Sequence, residues 1–289
     1  MDAVQARTLL VPGATLHYEV RGSGPILLLI PGGNGDGDAY RRLATQLAER
    51  YAVITYDRRG FSRSLLDDPP GDLERRLAAD VDDAARLLAQ VADGPSYVFG
   101  SSSGGIVALE LLAQHPERIQ TLIAHEPPLV TLLPDAAQQL TFLDGVYATY
   151  RSSGVDSAMK EFFTGAGLGS HPTAASSPPA SPPVAEVLSR TNINRAFWLE
   201  HELRQYPRVA PKMAALEAVR SRMVLAGGSD SREYFPYRAN ILLAERLGVE
   251  LVDFPGGHVG YSTHPSEFAK QMVSVLDRRS GWHGAGTQP

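Results

Sequence analysis

A run of small residues, Gly100-Ser101-Ser102-Ser103-Gly104, lies between two apolar segments. The preceding segment, 96–99, has the composition of a buried strand, and the following segment, 106–112, that of a helix. A G-x-S-x-G pattern in this context predicts a sharp turn that presents its central serine, Ser102, at the start of the helix. Such a serine is a candidate nucleophile. A glycine- and serine-rich connector would have the same composition, so the rest of the chain must decide between the two.

A serine hydroxyl is a weak nucleophile near neutral pH and needs a base within hydrogen-bond distance, which a carboxylate in turn orients. His258 is our candidate for the base. It follows the last apolar strand segment, 249–252, and the pair Gly256-Gly257, which allows the chain to turn back toward the serine. The other seven histidines fall in strands, helix ends, loops or the tail, and among them only His264 is kept as a reserve.

The segments that must position these residues alternate between strand and helix patterns. Short apolar runs typical of buried strands are found at 8–11, 16–20, Ile26–Ile30, Ala52–Tyr56, 96–99, 121–124, 223–226 and 249–252. Helical periodicity occurs between most of them, as in 73–91, where apolar residues recur on one face. This alternation predicts an α/β fold with a mainly parallel, eight-stranded sheet flanked by helices.

One long segment breaks the alternation. Residues 127–220 show helical patterns but no convincing strand, and we interpret them as a helical cap inserted after the sixth strand. Residues 1–126 and 221–279 then form the two parts of one core, and 280–289 form a flexible tail. Within the cap, 170–183 is rich in proline, serine and alanine and poor in apolar bulk. That composition predicts a mobile loop.

Five short segments accompany the predicted strands in a fixed order. They are Ile30-Pro31-Gly32-Gly33-Asn34-Gly35, residues 55–64, the Ser102 turn, Gly227-Gly228-Ser229-Asp230 and Pro255-Gly256-Gly257-His258. In this order they resemble the α/β-hydrolase fold family, of the cap-bearing esterase and lactonase kind. The resemblance covers residues 8–125 and 220–278, and the cap is much less diagnostic.

The resemblance implies roles for further residues. The family's chain order is serine, acid, histidine, which makes Asp230 the expected acid, because it comes directly after the strand at 223–226. Some members place the acid one strand earlier, where Glu126 is the reserve. The family's oxyanion loop corresponds to the turn that contains Gly33, whose backbone N–H would act with that of Ser103. Pro31 stands where the family often has histidine, which should matter little to a backbone donor.

With serine at the turn, the expected reaction is acyl transfer to water. An ester, a lactone, a thioester or a C–C bond beside a carbonyl all remain open as the bond that is cleaved. Epoxide hydrolases and haloalkane dehalogenases of this fold need a carboxylate in place of Ser102. The glycines of 32–37 match no dinucleotide motif, and no metal-ligand motif such as H-E-x-x-H is present. We expect no cofactor and no metal; a non-catalytic small-molecule receptor is the alternative from another class.

Composition narrows the partners and the location. The chain has 289 residues, 43% of them hydrophobic and 20% charged, a net charge of −5 and no cysteine. This net charge does not indicate binding to nucleic acid or to an anionic membrane. Without cysteine there is no thiol nucleophile or disulfide. No signal-peptide pattern or membrane-length apolar stretch is found. We expect a cytoplasmic enzyme with a small-molecule substrate and without nucleic-acid or membrane partners; a homodimer is left open.

The predicted cap is rich in aromatic residues. They are Phe142, Tyr147, Tyr150, Phe162, Phe163, Phe197, Trp198 and Tyr206. Aromatic side chains at helical spacing usually pack in a core, so we expect only two or three of them to line a substrate pocket. They favour a small to medium, largely apolar substrate. Arg195, His201 and Arg204 are candidate contacts for a substrate carboxylate, although a solvated helix face is the preferred interpretation.

Overall fold

The computed structural model describes residues 4–68, 76–166, 168 and 182–280, with the backbone alone for 182–188 and 280. Most of the segment expected to be a mobile loop, 170–183, lies outside the described residues. So does the expected tail beyond residue 280.

Nine strands form one sheet in the described part of the chain. Their bounds are Gln5–Val11 (β1), Ala14–Arg21 (β2), Ile26–Ile30 (β3), Ala52–Tyr56 (β4), Leu65–Leu66 (β5), Ser96–Ser101 (β6), Ile119–His125 (β7), Met223–Gly228 (β8) and Leu251–Phe254 (β9). The order across the sheet is β1-β2-β4-β3-β6-β7-β8-β9, with β5 beside β2. The predicted α/β sheet is confirmed, and all eight expected strands are present. The additional strand, β5, has only two residues, too few to produce a sequence pattern.

Parallel pairing brings the carboxyl ends of the central strands to one edge of the sheet. From β4 through β3, β6, β7 and β8 to β9, every neighbouring pair is parallel, whereas β1, β2 and β5 pair antiparallel. The register aligns Ser101 of β6 with His125 of β7, and His125 with Ala226 of β8. The residues that directly follow β6 and β7 therefore start from adjacent positions at this edge.

Helices cover both faces of the sheet. Those described are Arg41–Leu47 (α1), Arg76–Val91 (α2), Ser103–Gln114 (α3), Ala136–Gly165 (α4), Pro182–His201 (α5), Met213–Ala218 (α6), Phe235–Leu247 (α7), Gly260–Thr263 (α8) and Pro265–Ser280 (α9). Alternate residues of β3 divide between the faces: Leu27 and Leu29 pack with α1 and α9, and Leu28 and Ile30 with α2, α3 and α7. Of the helices described, none combines the length and apolar character needed to cross a membrane.

Helices and turns, without a strand, make up the described residues between β7 and β8. We call this segment, 127–222, the helical insertion; it contains α4, α5 and α6. Gly154 interrupts α4 with a φ of 83° and divides it into two helical segments. Helix α5 begins at Pro182, inside the segment expected to be a loop, because proline is well suited to the first turn of a helix.

Candidate active site

The Ser102 turn has the predicted geometry. Ser102 lies between β6 and α3 with φ 56° and ψ −126°, a conformation that only a tightly constrained turn imposes on a non-glycine residue. A Cβ atom at Gly100 would lie 2.3 Å from the carbonyl oxygen of Gly104, and one at Gly104 would lie 2.3 Å from that of Ile30. The two glycines of the G-x-S-x-G pattern are therefore required by the close approach of strand and helix.

Backbone strain coincides with the candidate site. In the described part of the chain three non-glycine residues have positive φ, namely Ser62, Ser102 and Glu126, the last with a φ of 46°. Two of these three follow the neighbouring strands β6 and β7, and Ser102 N–H donates to the carbonyl oxygen of His125 at 2.9 Å. The positive φ of Ser102 and of Glu126 turns the chain sharply at the carboxyl ends of these two strands.

His258 is held by a carboxylate. Its Nδ1 lies 2.5 Å from Oε2 of Glu126, and an ionised carboxylate can only accept a hydrogen bond. Nδ1 therefore carries the proton, which leaves Nε2 of the neutral ring as the nitrogen that can accept one. The His258 side chain is 10% exposed and the Glu126 side chain is fully buried. Ser102 and His258 line the same cavity.

The expected pairing of Asp230 with His258 is wrong. The Asp230 side chain is exposed and accepts a hydrogen bond from the Ser229 hydroxyl at 3.1 Å. Glu126 occupies the position beside His258 because β7 lies between β6 and β8, one strand closer to Ser102. The last residue of β8 and the turn after it supply hydrogen-bond donors to Glu126, namely the Gly228 N–H and the Ser231 hydroxyl. The reserve acid of the sequence analysis is thus the residue that contacts the histidine.

The Glu126 carboxylate is stabilised as an anion. Burial alone would raise its pKa, but the hydrogen bond and charge of His258, the charge of His125 and the Ser231 hydroxyl together lower the pKa of Glu126 to about 2. Gly228 N–H donates to Oε1 at 2.7 Å, so both carboxylate oxygens have partners. An anion held in this way keeps the proton of His258 on Nδ1.

A second histidine, His125, is buried next to the pair. Its Nδ1 lies 3.0 Å from Oγ of Ser101, its Nε2 has no partner among the described residues, and its ring lies 6.3 Å from that of His258. Burial lowers the pKa of His125 to about 4, against the opposing charge of Glu126. The residue is therefore neutral near pH 7 and contributes to the packing beneath the site.

The two expected oxyanion donors lie at the cavity. Gly33 lines the main cavity with Ser102, and Ser103 lines the adjoining pocket. Within the described ranges neither backbone N–H donates to another group. The Gly32 carbonyl accepts hydrogen bonds from Arg58 Nη2 at 2.8 Å and from Gly35 N–H at 2.9 Å. Because a trans peptide places C=O and N–H on opposite sides, these bonds direct the N–H of Gly33 away from Arg58.

Arg58 belongs to a buried ionic network that joins the core to the helical insertion. It donates to both oxygens of Glu202, which directly follows α5, at 2.9 and 2.8 Å, and to Asp80 of α2 at 2.8 Å. Arg76 donates to Glu202 at 2.8 Å, and the Tyr206 hydroxyl donates to Asp80 at 2.5 Å. Burial alone would lower the pKa of Arg58, but the charges of Glu202 and Asp80 hold that pKa well above its usual value.

A cavity of about 460 Å³ opens at Ser102 and His258, a size typical of sites for small molecules. The core contributes Gly33, Asn34 and Tyr261 among others, and the helical insertion contributes mainly apolar side chains. Those of the insertion are Met159, Phe162, Phe163, Leu168, Thr191, Arg195 and Trp198. Three of the eight aromatic residues of the insertion therefore face the cavity, and five lie elsewhere.

A second, much smaller pocket meets the same two residues. It has a volume of about 30 Å³ and is lined by Ser102, Ser103 and His258 together with Leu143 and Phe235. A volume of this size holds a water molecule or a small group. Ser102 and His258 thus lie between a large and a small space.

Several residues of the site were not found from the sequence. Ser231 and the Gly228 N–H contact Glu126. Gly228 lies in one of the segments that carry the family resemblance, and the only sequence signal of Ser231 is its position after a strand. Arg58 lies in one of the segments that carry the family resemblance, but no local pattern connects it to Glu202, 144 residues away. The aromatic pattern of the insertion did not distinguish Trp198 from its neighbours.

Comparison with known proteins agrees with the α/β fold described above. The α/β-hydrolase fold family model matches residues 25–265. The hydrolase YraK of Bacillus subtilis (strain 168) is 39% identical over 277 residues, which cover 94% of this chain and 96% of that protein. The zearalenone hydrolase of Bionectria ochroleuca is 28% identical over 276 residues, covering 92% and 95%.

Among solved structures, a thermophilic esterase from Thermogutta terrifontis has the same fold, with a TM-score of 0.71 at 19% identity over 95% of this chain and 99% of that one. The family model covers most of the present sequence, and the likeness to YraK extends over nearly all of it. This chain therefore belongs to the α/β-hydrolase family and is a hydrolase.

Proposed function

We propose that the chain hydrolyses a carboxylic ester or lactone of a medium-sized, mostly apolar molecule through an acyl-enzyme on Ser102. The observation that carries the proposal is the hydrogen bond of 2.5 Å between His258 Nδ1 and Glu126, at a cavity that Ser102 shares. It supplies a base in the required tautomer next to a serine held in a strained turn.

In the first step Ser102 Oγ attacks the carbonyl carbon while His258 Nε2 accepts the hydroxyl proton. Glu126 stabilises the resulting imidazolium through Nδ1–H and does not itself take the proton. When the tetrahedral intermediate collapses, the bond to the alcohol oxygen breaks and His258 returns the proton to that oxygen. The acyl group remains on Ser102, and for a lactone the alcohol remains attached to it.

In the second step water attacks the acyl-enzyme and gives its proton to His258, and Ser102 leaves with that proton. The product is a carboxylic acid, or a hydroxy acid from a lactone. The N–H groups of Gly33 and Ser103 would stabilise the oxyanion in both steps, each contributing about 3 kcal/mol. Arg58 acts indirectly: it donates a hydrogen bond to the Gly32 carbonyl and so restrains the direction of the Gly33 N–H.

The proposal that the cleaved bond is an ester or a lactone rests on the similar proteins. One is a zearalenone hydrolase, whose substrate is a lactone, and the apolar cavity of about 460 Å³ suits a substrate of that kind. Thioester and C–C bond hydrolysis use the same catalytic groups and no observation favours them. A receptor function has no observation in its favour beyond the shared scaffold.

The test is a panel of 4-nitrophenyl esters and macrocyclic lactones, zearalenone included, with turnover followed by absorbance or chromatography and acyl adducts by intact mass. We expect turnover of at least one class and an adduct of one acyl group, mapped to Ser102 by peptide sequencing. Ser102→Ala is the matched control. Saturable binding with no turnover across the panel, or equal turnover by the control, would contradict the proposal.

A further inference from the structure

A cationic side chain reaches the cavity that holds Ser102 and His258. Arg195 lies on α5, one helical turn before Trp198, and both residues line this cavity. The rest of the insertion's contribution is almost entirely apolar. A guanidinium among apolar side chains is not explained by the solvated helix face that the sequence favours.

Arg195 has no carboxylate partner among the residues that the structure describes. Within the described residues it makes one hydrogen bond, from Nη1 to Oδ1 of Asn192 at 3.3 Å, a neutral and distant acceptor. Asp156 influences it electrostatically without forming an ion pair.

Four other arginines of the insertion have partners that account for them. Arg151 pairs with Glu200 at 3.0 Å, and Arg208 pairs with Asp144 at 2.8 Å. Arg190 pairs with Asp38 at 2.8 Å. The guanidinium of Arg204 lies 3.6 Å from the centre of the Tyr147 ring. Arg195 differs from these four because it lines the cavity and has no compensating group in the part of the chain that the structure describes.

A half-buried cation without an anion carries a desolvation cost, and burial lowers the pKa of Arg195 accordingly. A ligand carboxylate would offset that cost, because the guanidinium presents a planar fork of donors that matches a carboxylate. In an otherwise apolar cavity such a contact also orients the ligand.

We propose that Arg195 binds an anionic group, of the carboxylate class, on the substrate whose ester or lactone bond Ser102 attacks. The inference rests on the proposed function and narrows it to substrates that carry a negative charge away from the scissile bond. The apolar walls then hold the intervening part of the molecule.

The test compares anionic and neutral esters of equal length. Mono-4-nitrophenyl esters of dicarboxylic acids from adipate to suberate are each paired with the corresponding methyl 4-nitrophenyl diester. Chain length varies between pairs, and within a pair a neutral methyl ester replaces the carboxylate. For the best length we expect the anionic-to-neutral ratio of kcat/KM to fall about 10- to 100-fold in Arg195→Gln, mainly through KM. Arg195→Lys should retain part of the preference, and Arg204→Gln, the matched control, should retain all of it.

Retained turnover of the neutral esters shows that the Arg195→Gln chain is folded. An unchanged ratio at every length would overturn the proposal, and so would an equal loss for neutral and anionic esters.

A binding measurement separates this proposal from the proposed function. Suberic acid mono-4-nitroanilide has the same charge but an amide that is not readily cleaved, and its binding to the Ser102→Ala chain can be followed by calorimetry. Weaker binding after Arg195→Gln, together with no ester hydrolysis by the unmodified chain, would support the anion site and refute the hydrolase mechanism. Equal binding with and without Arg195 would refute the anion site alone.

Discussion

The core and the helical insertion contribute to the site in different ways. The core holds its groups through backbone geometry and closed hydrogen bonds: Ser102 in a strained turn, and Glu126 with donors on both carboxylate oxygens. The insertion contributes apolar side chains and one cation whose partner is a distant amide. Positions in the first region are over-determined, whereas those in the second are set mainly by packing. Reaction chemistry and substrate choice can therefore change separately.

The two regions meet at the oxyanion loop. Glu202 of the insertion binds Arg58, which binds the Gly32 carbonyl, and the Trp198 ring covers Gly33, where a Cβ atom would lie 2.6 Å from Nε1. A substitution of Glu202 or Trp198 should therefore alter the rate of catalysis, in contrast with a substitution elsewhere in the insertion.

The largest expected effect is in the core. Ser102→Ala removes the nucleophile and should lower kcat by about 10⁶-fold, while the melting temperature stays unchanged, because alanine keeps the Cβ atom and with it the strain at φ 56°. Steady-state kinetics measure kcat, and thermal unfolding measures the melting temperature. A fluorophosphonate probe should label Ser102 in the unmodified chain; labelling of Ser101 or Ser103 would show that the turn presents another residue.

Next comes the ionic network between the regions. Glu202→Gln leaves Arg58 and Arg76 with one carboxylate, Asp80, and loss of a buried charge partner should lower the free energy of unfolding by about 3–5 kcal/mol. Glu200→Gln is the matched control, because Glu200 is 30% exposed and pairs with Arg151 at the surface; it should cost less than about 1 kcal/mol. Chemical denaturation measures both. Equal effects would show that the buried network does not hold the regions together.

A smaller effect is expected where the insertion covers the oxyanion loop. Gly33→Ala places a methyl group against the Trp198 ring, and displacement of the N–H donor should lower kcat by about 10²–10³-fold. Trp198→Ala in the same chain removes the obstacle and should restore part of the loss. If the double variant is no better than Gly33→Ala alone, the clash with Trp198 is not the cause.

The smallest expected effect concerns stability against pH. The pKa of His125 is lowered to about 4 in the folded chain, below its ordinary value of about 6.5, so the unfolded chain binds a proton more readily between these values. Its contribution to stability is complete above pH 6.5 and is lost as the pH falls toward 4, by up to about 3 kcal/mol. Denaturation of His125→Gln across this range should show a correspondingly smaller loss. Parallel curves for the two proteins would refute the assignment.

Local patterns sufficed for most of the core. Buried strands such as β3 are short apolar runs, and the Ser102 turn has a glycine at each position where another backbone approaches closely. His258 follows a strand and two glycines. Each of these signals lies within a few neighbouring residues, which is why the sequence carries them.

The choice of acid could not be made in this way. Glu126 and Asp230 both follow apolar strands, so their local patterns are equivalent. What separates them is the lateral order of β6, β7 and β8 and the donors that the end of β8 and the following turn direct at Glu126. The link between Arg58 and Glu202 is likewise a product of tertiary packing, and the position of Arg195 at the cavity depends on how α5 lies over the core.

The proposed mechanism depends most on Glu126 as the residue that orients His258, and the isosteric substitutions Glu126→Gln and Asp230→Asn test this role directly. Glu126→Gln keeps the shape of the side chain but removes the charge that holds the proton on Nδ1, and kcat should fall by about 10³–10⁴-fold. Asp230→Asn changes an exposed carboxylate and should alter kcat by less than about threefold. A large loss for Asp230→Asn with little change for Glu126→Gln would contradict the account.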